Sequence, residues 1–215
     1  MILIWLIMKK NLIRFCGLII SVVLILGCSE STGPKQGVHY QKLSKPLSSP
    51  SLAPITEVFA LTCTHCRTME TFIPELEQLT GQRFGKLHVT FNQGAQLGAM
   101  IYYSAMMQLD GIPDHDMMDD LFAAVQMPEG TTPAERKAAI DHAFHSRHII
   151  SPYDFNEMQQ QQLMTMLASV EQMSAQAQIN AVPTFIVNGK YLLLTSGHSD
   201  LANMAETLTY LLKQP

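Results

Sequence analysis

Basic residues are scarce in this chain of 215 residues: 14 Lys and Arg stand against 18 Asp and Glu. No cluster of them could neutralise a row of phosphates, which excludes a nucleic-acid-binding function. Cysteine is equally sparse, with four in all. That excludes a small disulfide-stapled scaffold, and a chain of this length can bury a core without such staples. Internal repeats are absent, so a solenoid or propeller is excluded. Long apolar runs are missing as well, except near the N-terminus.

That N-terminal stretch reads as an export segment. Lys9, Lys10 and Arg14 form a basic start, Cys16 to Leu26 an apolar core, and Leu24 to Cys28 its end, Leu-Ile-Leu-Gly-Cys. Met8, directly before the lysines, is a plausible true start. The ending resembles a bacterial lipobox, in which cleavage leaves the cysteine as a lipid-modified N-terminus. Residues 1–27 are then a lipoprotein signal, and 28–54 the lipid-anchored Cys28 and a tether. The alternative is an uncleaved anchor, for which the uncharged stretch Phe15 to Ser29 is short against a span of about 20 residues. Cys16, inside the apolar core, is a passive small hydrophobe. Losing residues 1–27 removes three positive charges and leaves 11 basic against 18 acidic residues, a net charge of −7. Membrane attachment would then rest on acyl chains rather than on attraction to anionic lipid. Ser29 after Cys28 points to the outer membrane under the Gram-negative sorting pattern.

What remains is one Cys-x-x-Cys pair, Cys63-Thr64-His65-Cys66. It follows an apolar run, Ile55 to Leu61, and precedes a helical pattern, Met69, Phe72, Ile73, Leu76 and Leu79, with a kink expected at Pro74. A thiol at a strand-to-helix turn faces helix amides that favour its thiolate, which points to a redox pair rather than a clip. Lys86 to Phe91 returns as a strand, so residues 55–95 read as a βαβ unit. Residues 96–178 read as a helical insertion. Its segments are Leu97 to Leu109, Met117 to Val125, a helix started by Thr132-Pro133-Ala134-Glu135, and a long segment from Asp154 to Gln178 after Ser151-Pro152. Residues 179–215 close the chain with a hairpin, Thr184 to Val187 and Lys190 to Leu194 around Asn188-Gly189, and a helix from Ser199 to Leu212. His39 to Leu43 is a candidate edge strand. The spacing of Asp141, His142, His145 and His148 reads as a solvated helix face, since no second ligand cluster accompanies it. The fold class is α/β, a thioredoxin fold with an inserted helical domain.

The Cys-x-x-Cys together with Ala181-Val182-Pro183-Thr184-Phe185 through Tyr191, and with Glu57-Val58-Phe59 and Lys86-Leu87-His88-Val89, resembles the DsbA family of thiol-disulfide oxidoreductases. The likeness runs over most of the chain beyond the export segment. It implies that Cys63 is the nucleophile and Cys66 the buried partner, with His65 stabilising the Cys63 thiolate by charge or an N–H donor. It implies that Pro183 is a cis-proline facing the sulfurs and that Val182 pairs with a substrate strand. Glu57 and Lys86 match a buried acid and base that move protons. Thr64 stands where the family prototype has proline, which leaves the redox potential open. No cofactor beyond the Cys63–Cys66 disulfide is implied. The implied activity is disulfide donation to reduced exported proteins by a monomer facing the periplasm, reoxidised by a quinone-linked membrane protein. A disulfide reductase or isomerase on the same fold, or a non-catalytic peptide-binding lipoprotein, are the alternatives.

Overall fold

Strand β1 (Tyr40–Lys42) comes first, followed by β2 (Ile55–Phe59) and two short helices, α1 (Thr64–Glu70) and α2 (Ile73–Thr80). After β3 (Gly85–His88) come α3 (Gln93–Leu109), α4 (His115–Val125), α5 (Pro133–His145) and α6 (Glu157–Gln176). The hairpin of β4 (Thr184–Val187) and β5 (Tyr191–Leu193) and the helix α7 (Leu201–Leu212) end the chain. The computed structural model describes residues 33–49, 52–109 and 111–215. The export segment, with Cys16 and the lipidation candidate Cys28, lies outside the described residues. Residues 34–215 form one compact unit. Among the described residues no helix is long and apolar enough to cross a membrane.

The five strands form one sheet in the order β1-β5-β4-β2-β3. Only β2 and β3 pair in parallel, and the other neighbours are antiparallel. Side chains alternate between its faces. Phe185, Val187, Tyr191 and Leu193 belong to one buried cluster with Ile73, Leu76, Leu208 and Leu211 of α2 and α7. Ile186 and Leu192 belong to the other, with Val58, Phe59 and the helices inserted between β3 and β4. The protein is thus a thioredoxin fold carrying an inserted helical domain, as the resemblance implied.

The local signals explain most boundaries. Thr132 and Glu135 form a reciprocal capping box with Pro133 in the first turn of α5. Asn156 and Gln159 do the same for α6. The residues after Ser151 form only a turn of 3-10 helix, Pro152–Asp154, so the long helix starts three residues later than Asp154. Asn188 and Gly189 both have positive φ, 51° and 63°, the backbone that a two-residue hairpin turn needs. Gly189 also packs so closely that a Cβ there would meet the Leu47 carbonyl oxygen at 2.3 Å.

One expectation is corrected. Pro74 does not kink a continuous helix; the helix stops at Glu70 and restarts at Ile73. Proline has no N–H for the carbonyl four residues back, and its ring crowds that carbonyl. The break fits Pro74 into the first turn of a new helix and leaves Glu70 as the last residue of α1. Strand β3 also ends at His88, three residues short of Phe91, as the chain turns toward α3.

Candidate active site

Both described cysteines lie where β2 runs into α1, and both are free thiols. Cys63 is the N-cap of α1. Its backbone is still extended, and its Sγ accepts a hydrogen bond from the Cys66 amide at 3.2 Å. Cys63 is half-buried, while Cys66, on the inner side of the first turn, is fully buried.

Their surroundings push the two thiols apart. The Cys66 thiol donates to the Cys63 sulfur, and the amides of Cys66 and His65 add to that, as does the charge of His65. Together they outweigh burial and bring the Cys63 pKa from 9.0 down to about 6. The same hydrogen bond raises Cys66, because ionising it would break the bond, and burial raises it further. The ring of His65 is exposed and acts through charge rather than a hydrogen bond. Thr64 is exposed beside it.

Val182 and Pro183 reach this turn from the other end of the chain. The bond between them is cis, and the Val182 carbonyl accepts from Cys63 Sγ at 3.7 Å. Pro183 thereby stands at the entry of β4, the central strand, which pairs with β2.

Behind the thiols lies a buried charge cluster. Glu57 and Lys86 are register partners on the parallel strands β2 and β3, so their side chains share a face. Lys86 Nζ donates to Glu57 Oε2 at 2.5 Å and also to Glu70 Oε2. Burial raises the Glu57 carboxyl, and the attraction of Lys86 offsets only part of that. Burial works against the Lys86 ammonium, but Glu57 and Glu70 outweigh it and hold Lys86 above its ordinary value. Glu57 Oε1 is buried without a hydrogen-bond partner. Both side chains are buried.

Four residues of this region were not singled out in the sequence. Glu70 lies four positions after Cys66, one helical turn along the same face, a spacing that could have found it. His115, from α4, pairs with Glu70 at 2.9 Å. His88 Nε2 accepts the Leu61 amide at 2.8 Å, while its Nδ1–H donates to the Val89 carbonyl. Burial holds the His88 pKa down at about 4, which keeps the ring a neutral acceptor. Gln126, capping α4, donates to the carbonyls of Leu61 at 2.7 Å and Cys63 at 3.1 Å. The backbone leading into Cys63 is thus held from β3 on one side and from the helical insertion on the other. No periodicity in the sequence announces either contact.

Elsewhere, Asp141 is tied to Lys137 and Ser151, and His142, His145 and His148 are exposed. Among the described residues no group of three or more His, Cys, Asp or Glu could hold a metal ion.

A thiolate titration checks the central pair. Absorbance at 240 nm of the reduced protein should fall on acidification with a midpoint near 6. A lowered thiol pKa stabilises the folded dithiol fully above the ordinary value of 9.0, and that contribution disappears as pH falls through about 6. In Cys66→Ala the strongest of the stabilising hydrogen bonds is gone, so the midpoint should rise. A midpoint unchanged by that substitution would contradict the assignment.

A thioredoxin family profile matches residues 50–209. No curated protein matches the chain. Among solved structures, DsbA of Proteus mirabilis, a disulfide oxidoreductase, is 19% identical over 84% of this chain and 98% of its own, with a TM-score of 0.63. DsbA of Pseudomonas aeruginosa is 20% identical over 84% and 93%, with a TM-score of 0.64. A variant of the Proteus mirabilis protein, 18% identical over 85% of this chain and all of its own with a TM-score of 0.62, holds a non-covalently bound peptide. With its profile match spanning most of the sequence and its fold shared with these DsbA structures, the chain belongs to the thioredoxin family.

Proposed function

We propose that the chain is a thiol-disulfide oxidoreductase that donates the Cys63–Cys66 disulfide to reduced exported proteins. The observation that carries this reading is the geometry of the pair at the start of α1, Cys63 Sγ accepting the Cys66 amide at 3.2 Å while Cys66 is fully buried, which holds Cys63 near 6 and raises Cys66. A substrate thiolate attacks the exposed sulfur, Cys63, and forms a mixed disulfide. A second substrate thiolate then displaces Cys63, which leaves as a stabilised thiolate and so leaves readily. Lowering the pKa of an attacking thiol raises its thiolate fraction but costs nucleophilicity, and the two nearly cancel. The net benefit therefore falls on Cys63 as a leaving group, which favours giving a disulfide away over reducing one.

Val182, beside the sulfur and ahead of β4, fits an extended substrate segment paired through its backbone, with Thr64 and Pro183 framing the same entrance. That the Proteus mirabilis protein holds a non-covalently bound peptide supports peptide binding on this fold. Cys28 as a lipid anchor, placement in the envelope facing the periplasm, and reoxidation by a quinone-linked membrane protein complete the proposal.

The equilibrium with glutathione tests it. We expect a potential less negative than the roughly −270 mV of thioredoxin, and oxidative refolding of a reduced substrate without an added oxidase. A value at or below that of thioredoxin would favour the reductase. Peptide binding with no exchange in either direction would favour a binding lipoprotein.

A further inference from the structure

Four side chains run in sequence from the buried thiol side of the sheet to solvent. Glu57, Lys86 and Glu70 have side chains 1%, 4% and 6% exposed, and His115 is 46% exposed. Each is hydrogen-bonded to the next: Glu57 to Lys86, Lys86 to Glu70, and Glu70 Oε1 to His115 Nδ1 at 2.9 Å. At the inner end, Glu57 keeps a buried oxygen with no partner, and its charge reaches the Cys66 thiol. At the outer end, His115 and Glu70 line a surface cavity of about 450 Å³ together with Asp116, Asp119 and Asp120. Asp120 is paired with Arg147, just beyond α5, and Asp116 and Asp119 also line the mouth.

We propose that His115 is the solvent end of a proton relay that serves the buried Cys66 thiol through Glu70, Lys86 and Glu57. The inference rests on the oxidoreductase reading and on the proton-moving role that the resemblance implies for Glu57 and Lys86, to which it adds the outlet at His115. When a substrate thiolate attacks the Cys63 sulfur of the disulfide, the Cys63–Cys66 bond breaks and its electron pair moves to Cys66. A thiolate is strongly disfavoured at that buried position and must take up a proton. Glu57 supplies it, Lys86 passes one to Glu57, Glu70 passes one to Lys86, and His115 passes one from Nδ1 to Glu70. Solvent restores the His115 proton at Nε2. The substrate dithiol supplies the two electrons that reduce the protein disulfide. On reoxidation Cys66 must lose its proton before it attacks, and the same chain carries that proton outward.

An imidazole suits the outermost position because its two nitrogens can accept on one side while donating on the other near neutral pH. The surrounding carboxylates of Asp116 and Asp119 draw protons and cationic buffers to the mouth. Helix α4 brings His115 to Glu70 from the inserted domain, so the insertion supplies a working part rather than a cover.

The test is the rate at which reduced glutathione reduces the oxidised full chain, followed by acid quench and thiol labelling between pH 5 and 9. His115→Gln keeps a polar side chain at a half-exposed site. General acid–base groups contribute about 10²–10⁴-fold, and since Glu70 itself borders the cavity we expect a loss of about tenfold at pH 7. Added imidazole should restore most of that loss, while wild type and the exposed control His145→Gln gain little. The equilibrium potential should be unchanged in His115→Gln, because a relay alters rates and not end states. A wild-type rate in His115→Gln, a slowed rate that imidazole does not rescue, or a shifted potential that accounts for the slowing would overturn the relay and leave the oxidoreductase reading intact. If wild type itself exchanges nothing with glutathione, the oxidoreductase reading falls and the relay with it.

Discussion

Cys63→Ser reduces disulfide donation to the uncatalysed background, and Cys66→Ser, mixed with a disulfide-bonded substrate, accumulates a mixed disulfide on Cys63 as the substrate's other sulfur leaves as a thiolate. The two outcomes differ because the sulfurs differ in exposure and acidity. Cys63 is the half-buried one, and at pH 7 a thiol with a pKa near 6 is about nine-tenths ionised, against a few per cent for a free thiol. Among the described residues, serine at 63 removes the one thiol that a bulky substrate can reach. Cys66 is fully buried and raised, so no substrate thiolate attacks it directly. Without its sulfur the adduct on Cys63 loses its intramolecular escape, while a serine hydroxyl still offers Cys63 a hydrogen bond. Refolding yield and a non-reducing gel report both effects. Cys63→Ser that retained activity, or Cys66→Ser that trapped nothing, would remove the dithiol mechanism.

Lys86→Met destabilises the protein by about 3–5 kcal/mol at neutral pH, the usual cost of removing one partner from a buried ion pair. Lys86 is the ammonium shared by Glu57 and Glu70, and without it two carboxylates are left in a water-poor site. The sign of the pH dependence follows from Glu57. Its folded pKa is already raised by burial, and loss of Lys86 removes the attraction that opposes the rise. A carboxyl raised in the folded state favours folding below its ordinary value of 4.5 and loses that contribution as pH rises through the folded value. The urea midpoint of Lys86→Met should therefore recover as pH is lowered from 8 toward 5. Adding Glu57→Leu should restore much of the loss, because an apolar replacement of the whole pair avoids the uncompensated charge. A Lys86→Met protein as stable as wild type at every pH would mean that the cluster is solvated rather than buried.

The charge cluster shows how far pattern reading reaches. Glu57 and Lys86 were singled out by resemblance, as matches to a buried acid and base of the DsbA family, and both lie within short strands. Their being partners depended on the parallel register of β2 and β3, which no local pattern specifies. Glu70 was detectable in principle from its spacing to Cys66, but an acid at that place reads as a solvated helix residue until the sheet behind it is in place. His115 and Gln126 lie some fifty to sixty residues downstream of Cys63 and reach the site only because α4 packs on α1. Helix starts marked by capping residues were legible at Thr132, whereas the break at Thr71 and Phe72 was read as a kink because the rule for proline gives the site of disruption, not its extent.

By itself the sequence pointed to a redox pair at the Cys-Thr-His-Cys turn and determined the order of strands and helices. Each of these is a matter of residue type at short spacing, where backbone preferences and side-chain chemistry act locally. Only the tertiary structure decided which thiol is acidic and which is not, since that depends on burial and on the amides aimed at Cys63. It alone also joined Glu57, Lys86, Glu70 and His115 into one hydrogen-bonded chain from a buried carboxylate to solvent. Such a juxtaposition is made by packing a sheet against an inserted helical domain, and long-range packing leaves no period in the sequence to read.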